Sequence, residues 1–252
     1  MFGQNKIVCI AGKNQCSIDF LIYISSKIPN KNIRILPNKN DSGIDNWQPS
    51  LKKFAINNNF RLISLGKLYK IKNLVLISIE YENLINIKKF LSNELYNFHF
   101  SLLPKYRGCH TNFYQIFNGE KNSGVTLHKI DGGIDTGPII DQIKFPIKIN
   151  SNSYDNYFLL MKYAFKLLKK NFNKIIIKKY KLKNQDLQKG SYYSRSSIDY
   201  NKMKIFNVKV LNSRIFNEIK AFIFPPFQLP IVNGKTITSI KVINKSYRLF
   251  YD

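Results

Sequence analysis

The sequence predicts an α/β protein in which a Rossmann-like, mostly parallel sheet is joined to a small C-terminal unit of one helix and an antiparallel β-hairpin. Short apolar, β-branched runs alternate with amphipathic stretches along most of the 252 residues, the pattern of a parallel sheet covered on both faces. Near the end, Asn233-Gly234 lies between two apolar runs, the strongest short-range signal for a hairpin. With 44% apolar residues the composition is that of an ordinary soluble globular chain, long enough to bury a full core.

Taken in order, residues 5–12 (NKIVCIAG) form a first strand ending in glycine, and residues 17–28 follow with helical spacing, Ser17 standing as the N-cap. Residues 33–36 read as a second strand, 48–57 as a helix, 61–65 as a third strand and the wholly apolar 74–79 as a fourth. Residues 95–100 come next, and their period of two puts Asn97 and His99 on one face with Phe98 and Phe100 on the other. Pro104 and Gly108 end that strand in a turn. Residues 123–130 form another strand, followed by the glycine-rich loop 131–138. A long helix is expected over 154–171, a polar irregular stretch over 179–201, and a helix over 212–224 stopped by Pro225-Pro226. Runs at 229–232, 235–243 and 246–251 close the chain. The change in organisation places one domain at 1–200 and a small subdomain at 201–252.

The formal charge of +25 invites a nucleic-acid reading. The composition argues against it, because only six arginines accompany 34 lysines and Asn, Ile, Tyr and Phe are abundant. Those residues have AT-rich codons, whereas nucleic-acid readers favour arginine for base edges and bidentate phosphate contacts. Nine lysines fall within residues 162–183, and in the first half of that segment Lys162, Lys166, Lys169 and Lys170 read as the solvated face of an amphipathic helix. Their field then serves to concentrate small anionic substrates. No apolar leader and no membrane-length apolar run occurs in the sequence, so a cytoplasmic protein with no membrane partner is expected. Cys9, Cys16 and Cys109 have no metal-ligand spacing; they are expected to be reduced, and no metal is expected.

The chemistry lies in NFHFSLLPKYRG at 97–108 and DGGIDTGP at 131–138. Asn97 offers amide donors that never ionise, suited to negative charge developing on a carbonyl oxygen. The imidazole of His99 can take a proton from an amine near neutral pH, and Asp135 can orient it and stabilise its cation. The set suits acyl transfer to nitrogen.

These segments, with NGEKNSGVTLHKIDGGIDTGPIIDQ at 118–142, resemble the active-site pattern of the folate-dependent formyltransferases. The resemblance implies that Asn97, His99 and Asp135 are the catalytic trio and that 10-formyltetrahydrofolate is the one-carbon donor. IAGKNQCSIDFL at 10–21, PNKNDSGIDNWQPSLKKFA at 37–55 and IKAFIFPPFQLP at 219–230 look like the N-formyltransferases that act on dTDP-linked amino sugars. That likeness implies folate contacts, largely through backbone, at Ile77, Ser78, Ile79, Glu80, His128, Ile130, Asp131, Gly133 and Asp135. It implies sugar-nucleotide contacts at Lys13, Trp47, Gln48, Arg107, Lys220, Phe222, Phe224, Phe227 and Gln228. Lys220 stands where relatives usually carry arginine and so lacks the bidentate fork. Tyr114-Gln115 depart from a Trp-Pro pair in relatives. The side chains of His110 and His128 match no catalytic position and are read as structural.

The expected product is an N-formylated dTDP-amino-dideoxyhexose for surface polysaccharide or O-antigen, with dTDP-4-amino-4,6-dideoxyglucose as the first choice of acceptor. A homodimer formed through the C-terminal hairpin is expected, and no nucleic-acid partner. The tRNA enzymes of the family carry a C-terminal β-barrel for which the sequence leaves no room after 205. A methionyl-tRNA formyltransferase without that domain, and a basic RNA-binding protein, stand as the alternatives.

Overall fold

The computed structural model describes residues 6–225 and 227–251. Along the chain it places β1 (Ile7–Gly12), α1 (Asn14–Ser25), β2 (Ile33–Pro37), α2 (Leu51–Asn57), α3 (Leu65–Leu68), β3 (Leu74–Ile79) and β4 (Leu95–His99). Then come β5 (Arg107–Gly108), α4 (Thr111–Phe117), β6 (Asn122–Lys129), β7 (Ile139–Pro146), α5 (Ser153–Ile176), β8 (Tyr192–Tyr193), α6 (Tyr200–Met203) and β9 (Ile205–Phe206). The chain ends with α7 (Ser213–Phe222), β10 (Ile231–Val232), β11 (Lys235–Ile243) and β12 (Ser246–Tyr251). It forms two compact units, the first from Met1–His99, Val125–Gln142 and Lys162–Asp186, the second from Phe100–Gly124, Ile143–Met161 and Leu187–Asp252. Residues 201–252, expected as a subdomain of their own, lie within the second unit together with earlier chain.

The first unit is built on a six-stranded sheet in the order β2-β1-β3-β4-β6-β7. Its β1 pairs in parallel with β2 and β3, and β3 with β4, but β6 runs antiparallel to β4. All six residues of β3 are buried, as a central parallel strand covered on both faces requires. On one face Cys9 and Ala11 join Leu36, Leu74, Leu76 and Leu95 in an apolar cluster. On α1, Phe20 meets Phe98 edge-on at 4.9 Å, and Tyr23 meets Phe165 and Phe172 of α5 at 6.0 and 5.9 Å. Burial pushes the Cys9 and Cys16 thiols up, so both remain neutral core residues.

Several expectations are corrected. Helix α1 starts at Asn14, three residues before Ser17, because Gly12 ends β1 and the chain turns at once; Ser17 instead donates from inside the helix to the Ile79 carbonyl at 3.4 Å. Residues 61–65 contribute only an isolated bridge between Leu62 and Ile35, and the chain then enters the short α3 from the extended Ser64. Strand β7, with polar residues along its middle, was not foreseen, and α5 continues to Ile176 because Phe172, Ile175 and Ile176 extend its buried stripe.

In the second unit α7 packs its apolar face in two directions. Phe222 joins Phe113 and Tyr114 of α4, while Phe216 and Ile219 join Val232, Ile237 and Ile240. The C-terminal sheet runs β12-β11-β10-β9. Asn233 and Gly234 turn with φ of 49° and 79°, the left-handed pair that an Asn-Gly hairpin demands. The unusual Gln115 is buried and donates to the Phe100 carbonyl at 2.9 Å, while its own carbonyl accepts from Ser123 and from Asn156 at 3.0 Å. No helix among the described residues is long and apolar enough to cross a membrane.

Gly12 lies tight against the strand that follows it in the sheet: a Cβ there would sit 2.1 Å from the Ile79 carbonyl oxygen and 2.4 Å from Ser17 Oγ. Gly12→Ala is expected to cost about 1–3 kcal/mol, read as a lower denaturation midpoint with an unchanged slope in urea.

Candidate active site

The register of β4 against β6 builds the site. Asn97 lies directly opposite His128, and His99 opposite Thr126, so the side chains of one cross-strand pair meet on one face. Asn97 Nδ2 lies 3.2 Å from His128 Nε2 and donates to Asp135 Oδ1 at 3.2 Å. The other carboxylate oxygen, Oδ2, faces His99 Nδ1 at 3.4 Å, and His128 Nε2 lies 3.6 Å from Oδ1. Asn97, His99 and Asp135 are thus brought together as expected.

His128, expected to be structural with its backbone toward folate, also sets its ring against the cluster. Its Nδ1 lies 2.8 Å from the Lys129 carbonyl, and since a carbonyl only accepts, Nδ1 carries the proton. With the proton on Nδ1, Nε2 is the ring nitrogen left to accept from the Asn97 amide. Its residue type gives no sign of this; the register of β6 does. His110 stays a structural residue of the second unit, held between the Arg195 carbonyl at 2.9 Å and Tyr200 Oη at 3.1 Å.

The loop after β6 is held from within. Asp131 Oδ1 accepts from Gly133 N at 3.0 Å and Thr136 Oγ1 at 2.7 Å, and Lys129 N donates to Pro138 O at 2.9 Å. Gly137 is required here, since a Cβ would stand 1.8 Å from the Lys129 carbonyl oxygen. Asp135 itself adopts φ +53°. Gln185, a residue the sequence did not single out, donates from Nε2 to the Asp135 and Gly137 carbonyls at 2.9 and 2.7 Å.

Of the expected folate-binding residues, Ile77, Ser78 and Ile79 end β3 and Glu80 follows with φ +55°. The buried Asn38 braces that turn, donating to Glu80 O at 3.0 Å and accepting from Glu82 N at 3.1 Å. Ile130, Asp131 and Gly133 lie on the loop that carries Asp135. Ser78 sits beside Asn97 in the parallel register, so the β3 terminus and the trio share one region of the sheet.

Among the expected sugar-nucleotide contacts in the first unit, Trp47 is half-buried in the loop before α2 rather than in the core. Gln48 is buried; its Oε1 accepts from Gln15 N at 3.2 Å, and Nε2 has no acceptor among the described residues. Lys13 pairs with Glu82 at 2.6 Å, so its charge is already compensated. In the second unit Arg107 lies on β5 with Nε buried and lacking an acceptor among the described residues. Phe222 and Phe224 are core, whereas Phe227 is 63% exposed beside the half-buried Gln228.

Lys220 is corrected. Only 4% exposed, it turns inward, donating to the Ile149 carbonyl at 2.7 Å with its ammonium 4.5 Å from the Phe216 ring. Burial pulls its pKa from 10.5 down to about 8. The unfolded chain therefore holds a proton that the folded chain gives up between those values, and this lysine makes stability rise with pH across that window. Lys220→Met is expected to be more stable than the parent at pH 7, with the gap closing between about pH 8 and 10.5; urea unfolding at several pH values measures it.

Known proteins can be set beside this geometry. The formyl transferase family profile matches residues 69–161. An N-formyltransferase from Helicobacter canadensis, solved with folinic acid and dTDP-3-aminofucose, superposes with a TM-score of 0.90 at 42% identity, over 95% of this chain and 89% of its own. A sugar 3N-formyl transferase solved with dTDP and 5-N-formyl-THF superposes at 0.91 with 44% identity, over 96% of this chain and 88% of its own. The methionyl-tRNA formyltransferase of Kosmotoga olearia is 33% identical over 157 residues, 62% of this chain and 50% of that protein. The chain thus spans about half the length of that curated relative. A fold shared nearly end to end at more than 40% identity, with an Asn-His-Asp cluster assembled on its sheet, means that the chain belongs to the formyltransferase family.

Proposed function

We propose that the protein transfers a formyl group from 10-formyltetrahydrofolate to the amine of a dTDP-linked 3-amino-dideoxyhexose. What carries the reading is the convergence of Asn97, His99 and Asp135 in a chain 42% and 44% identical, nearly end to end, to two proteins solved with a formyl-folate and with dTDP or its 3-amino sugar. The ligands of those relatives favour a 3-amino sugar over the 4-amino sugar expected from the sequence.

The folate supplies the electrophilic formyl carbon. With Nδ1 turned to Asp135, His99 uses Nε2 to take the proton from the attacking amine, the carboxylate stabilises the imidazolium that results, and the proton is passed on to the folate nitrogen as its bond to the formyl carbon breaks. Both hydrogens of the Asn97 amide have protein acceptors within 3.2 Å. One of them is exchanged for the formyl oxygen as negative charge develops there. The β3 terminus braced by Asn38 and the loop at 130–133 present backbone groups to the pterin. Gln48, with its buried and unmatched Nε2, donates to the nucleotide sugar, and the indole of Trp47 offers it an aromatic face.

The product is N-formylated sugar nucleotide for surface polysaccharide, made in the cytoplasm. A homodimer forms through the hairpin β11–β12, where Ile243, Phe250 and Tyr251 are exposed. Light scattering at micromolar concentration is expected to give twice the chain mass, and a monomer mass would refute the dimer.

The direct test is incubation with 10-formyltetrahydrofolate and a panel of dTDP-3-amino and dTDP-4-amino sugars, with mass spectrometry for the gain of one formyl group. Formylation of charged initiator tRNA with none on any sugar would overturn the proposal in favour of the tRNA reading. Asn97→Ala is expected to lower kcat about 100- to 1,000-fold; turnover near that of the parent would remove Asn97 from the mechanism.

A further inference from the structure

We propose that Gln185 is the positioning residue of the catalytic loop, clamping the backbone at Asp135 so that its carboxylate reaches both His99 and Asn97. The inference rests on the catalytic reading of Asp135 given above. Asp135 is a non-glycine residue at φ +53°, a conformation that costs about 1–2 kcal/mol for an L-residue and persists only where the surroundings enforce it. The bonds made within the loop engage Asp131, Gly133, Thr136 and the ends at Lys129 and Pro138. Gln185 supplies the bond to the Asp135 carbonyl itself.

The clamp is two-pronged. Nε2 of Gln185 donates to the Asp135 carbonyl at 2.9 Å and to the Gly137 carbonyl at 2.7 Å, so the two amide hydrogens fix the Asp135–Thr136 and Gly137–Pro138 peptide units. Carbonyls accept and do not donate, so the nitrogen end must face the loop and the orientation of the amide is determined. The clamp is anchored two residues earlier, where Lys183 and Ile139 exchange backbone hydrogen bonds of 2.8 and 2.9 Å. Gln185 is therefore held to the first strand residue after the loop it grips. A neutral amide does this without placing a further charge beside the carboxylate. Rotation of the Asp135 peptide would swing its side chain away from His99 Nδ1, now 3.4 Å from Oδ2, and a displacement of about 1 Å in a catalytic group can cost on the order of a hundredfold in rate.

Gln185→Met keeps the length and removes both donors; Gln185→Glu keeps the shape and replaces the donors with acceptors. Hydrogen exchange across residues 130–138 is expected to quicken at least about tenfold in Gln185→Met, since local opening sets that rate, while the melting temperature stays within a few degrees. Formyl transfer is expected to lose about 10- to 100-fold in kcat, with KM for folate and acceptor within about threefold, and Gln185→Glu is expected to lose more. A role confined to stability would lower the melting temperature without that split between kcat and KM. Unchanged exchange in the loop, or kcat within about twofold of the parent, would overturn the proposal. The exchange experiment needs no acceptor: if the parent formylates no amine, the functional reading fails while the clamp is still judged by the loop.

Discussion

The antiparallel pairing of β6 with β4, at the point where a parallel sheet changes direction, is the constraint on which the site depends. Parallel strands feed the sheet from one side as far as β4; reversing the next strand sets Asn97 against His128 and delivers the following loop back to the same two side chains. A slip of one residue in that register would turn every β6 side chain to the opposite face. Burial specifies it: Val125 and Leu127 are fully buried, and so are Thr126 and His128 on the alternate face. The same apolar packing that stabilises the sheet therefore sets the geometry of a polar cluster, in which the Asn97 amide links His128 to the Asp135 carboxylate and that carboxylate reaches His99.

The legible part of this structure was what a local pattern can carry. The runs at β1 and β3 are legible because central parallel strands are almost wholly apolar, β4 because its polar pair falls on one face at a spacing of two, and the Asn233-Gly234 turn because its chemistry admits few other conformations. Residues 61–65 misled because alternating apolar side chains at a sheet edge look like a strand even when only Leu62 makes a bridge. The trio was legible as motif; its partners were not. His128 joins it through a cross-strand register and Gln185 through a contact spanning 50 residues, and neither leaves a trace in local spacing. Lys220 misled for the opposite reason: its position on the chain matched a phosphate contact, but the helix turns that face into the second unit's interior.

The excess of lysine takes on a definite physical form in the fold. Along α5, Lys166 lies over the Tyr163 ring at 4.7 Å and Lys169 over Phe165 at 4.8 Å, while Lys170 pairs with Asp141 at 2.8 Å. Further on, Lys178 reaches Glu94 at 3.0 Å. The methylene stems of such side chains cover apolar surface while the ammonium stays wet or rests on an aromatic face. A composition rich in both lysine and aromatic residues finds its own partners, and much of the net charge is spread over surfaces that ring faces and methylenes already occupy.

Gln115 has a consequence for how this sequence can change. One amide satisfies the Phe100 carbonyl, the Ser123 hydroxyl and the Asn156 amide in the interior of the second unit. Replacing it by an apolar side chain would take a partner from all three at once, leaving the Asn156 amide only its bond to the Asn112 carbonyl, and each bond lost to a buried polar group is costly. Proline at this position is therefore closed as a single step and becomes open only with coordinated change at 123 and 156. The amide at 115 is an epistatic commitment: the residues allowed at two other positions depend on it.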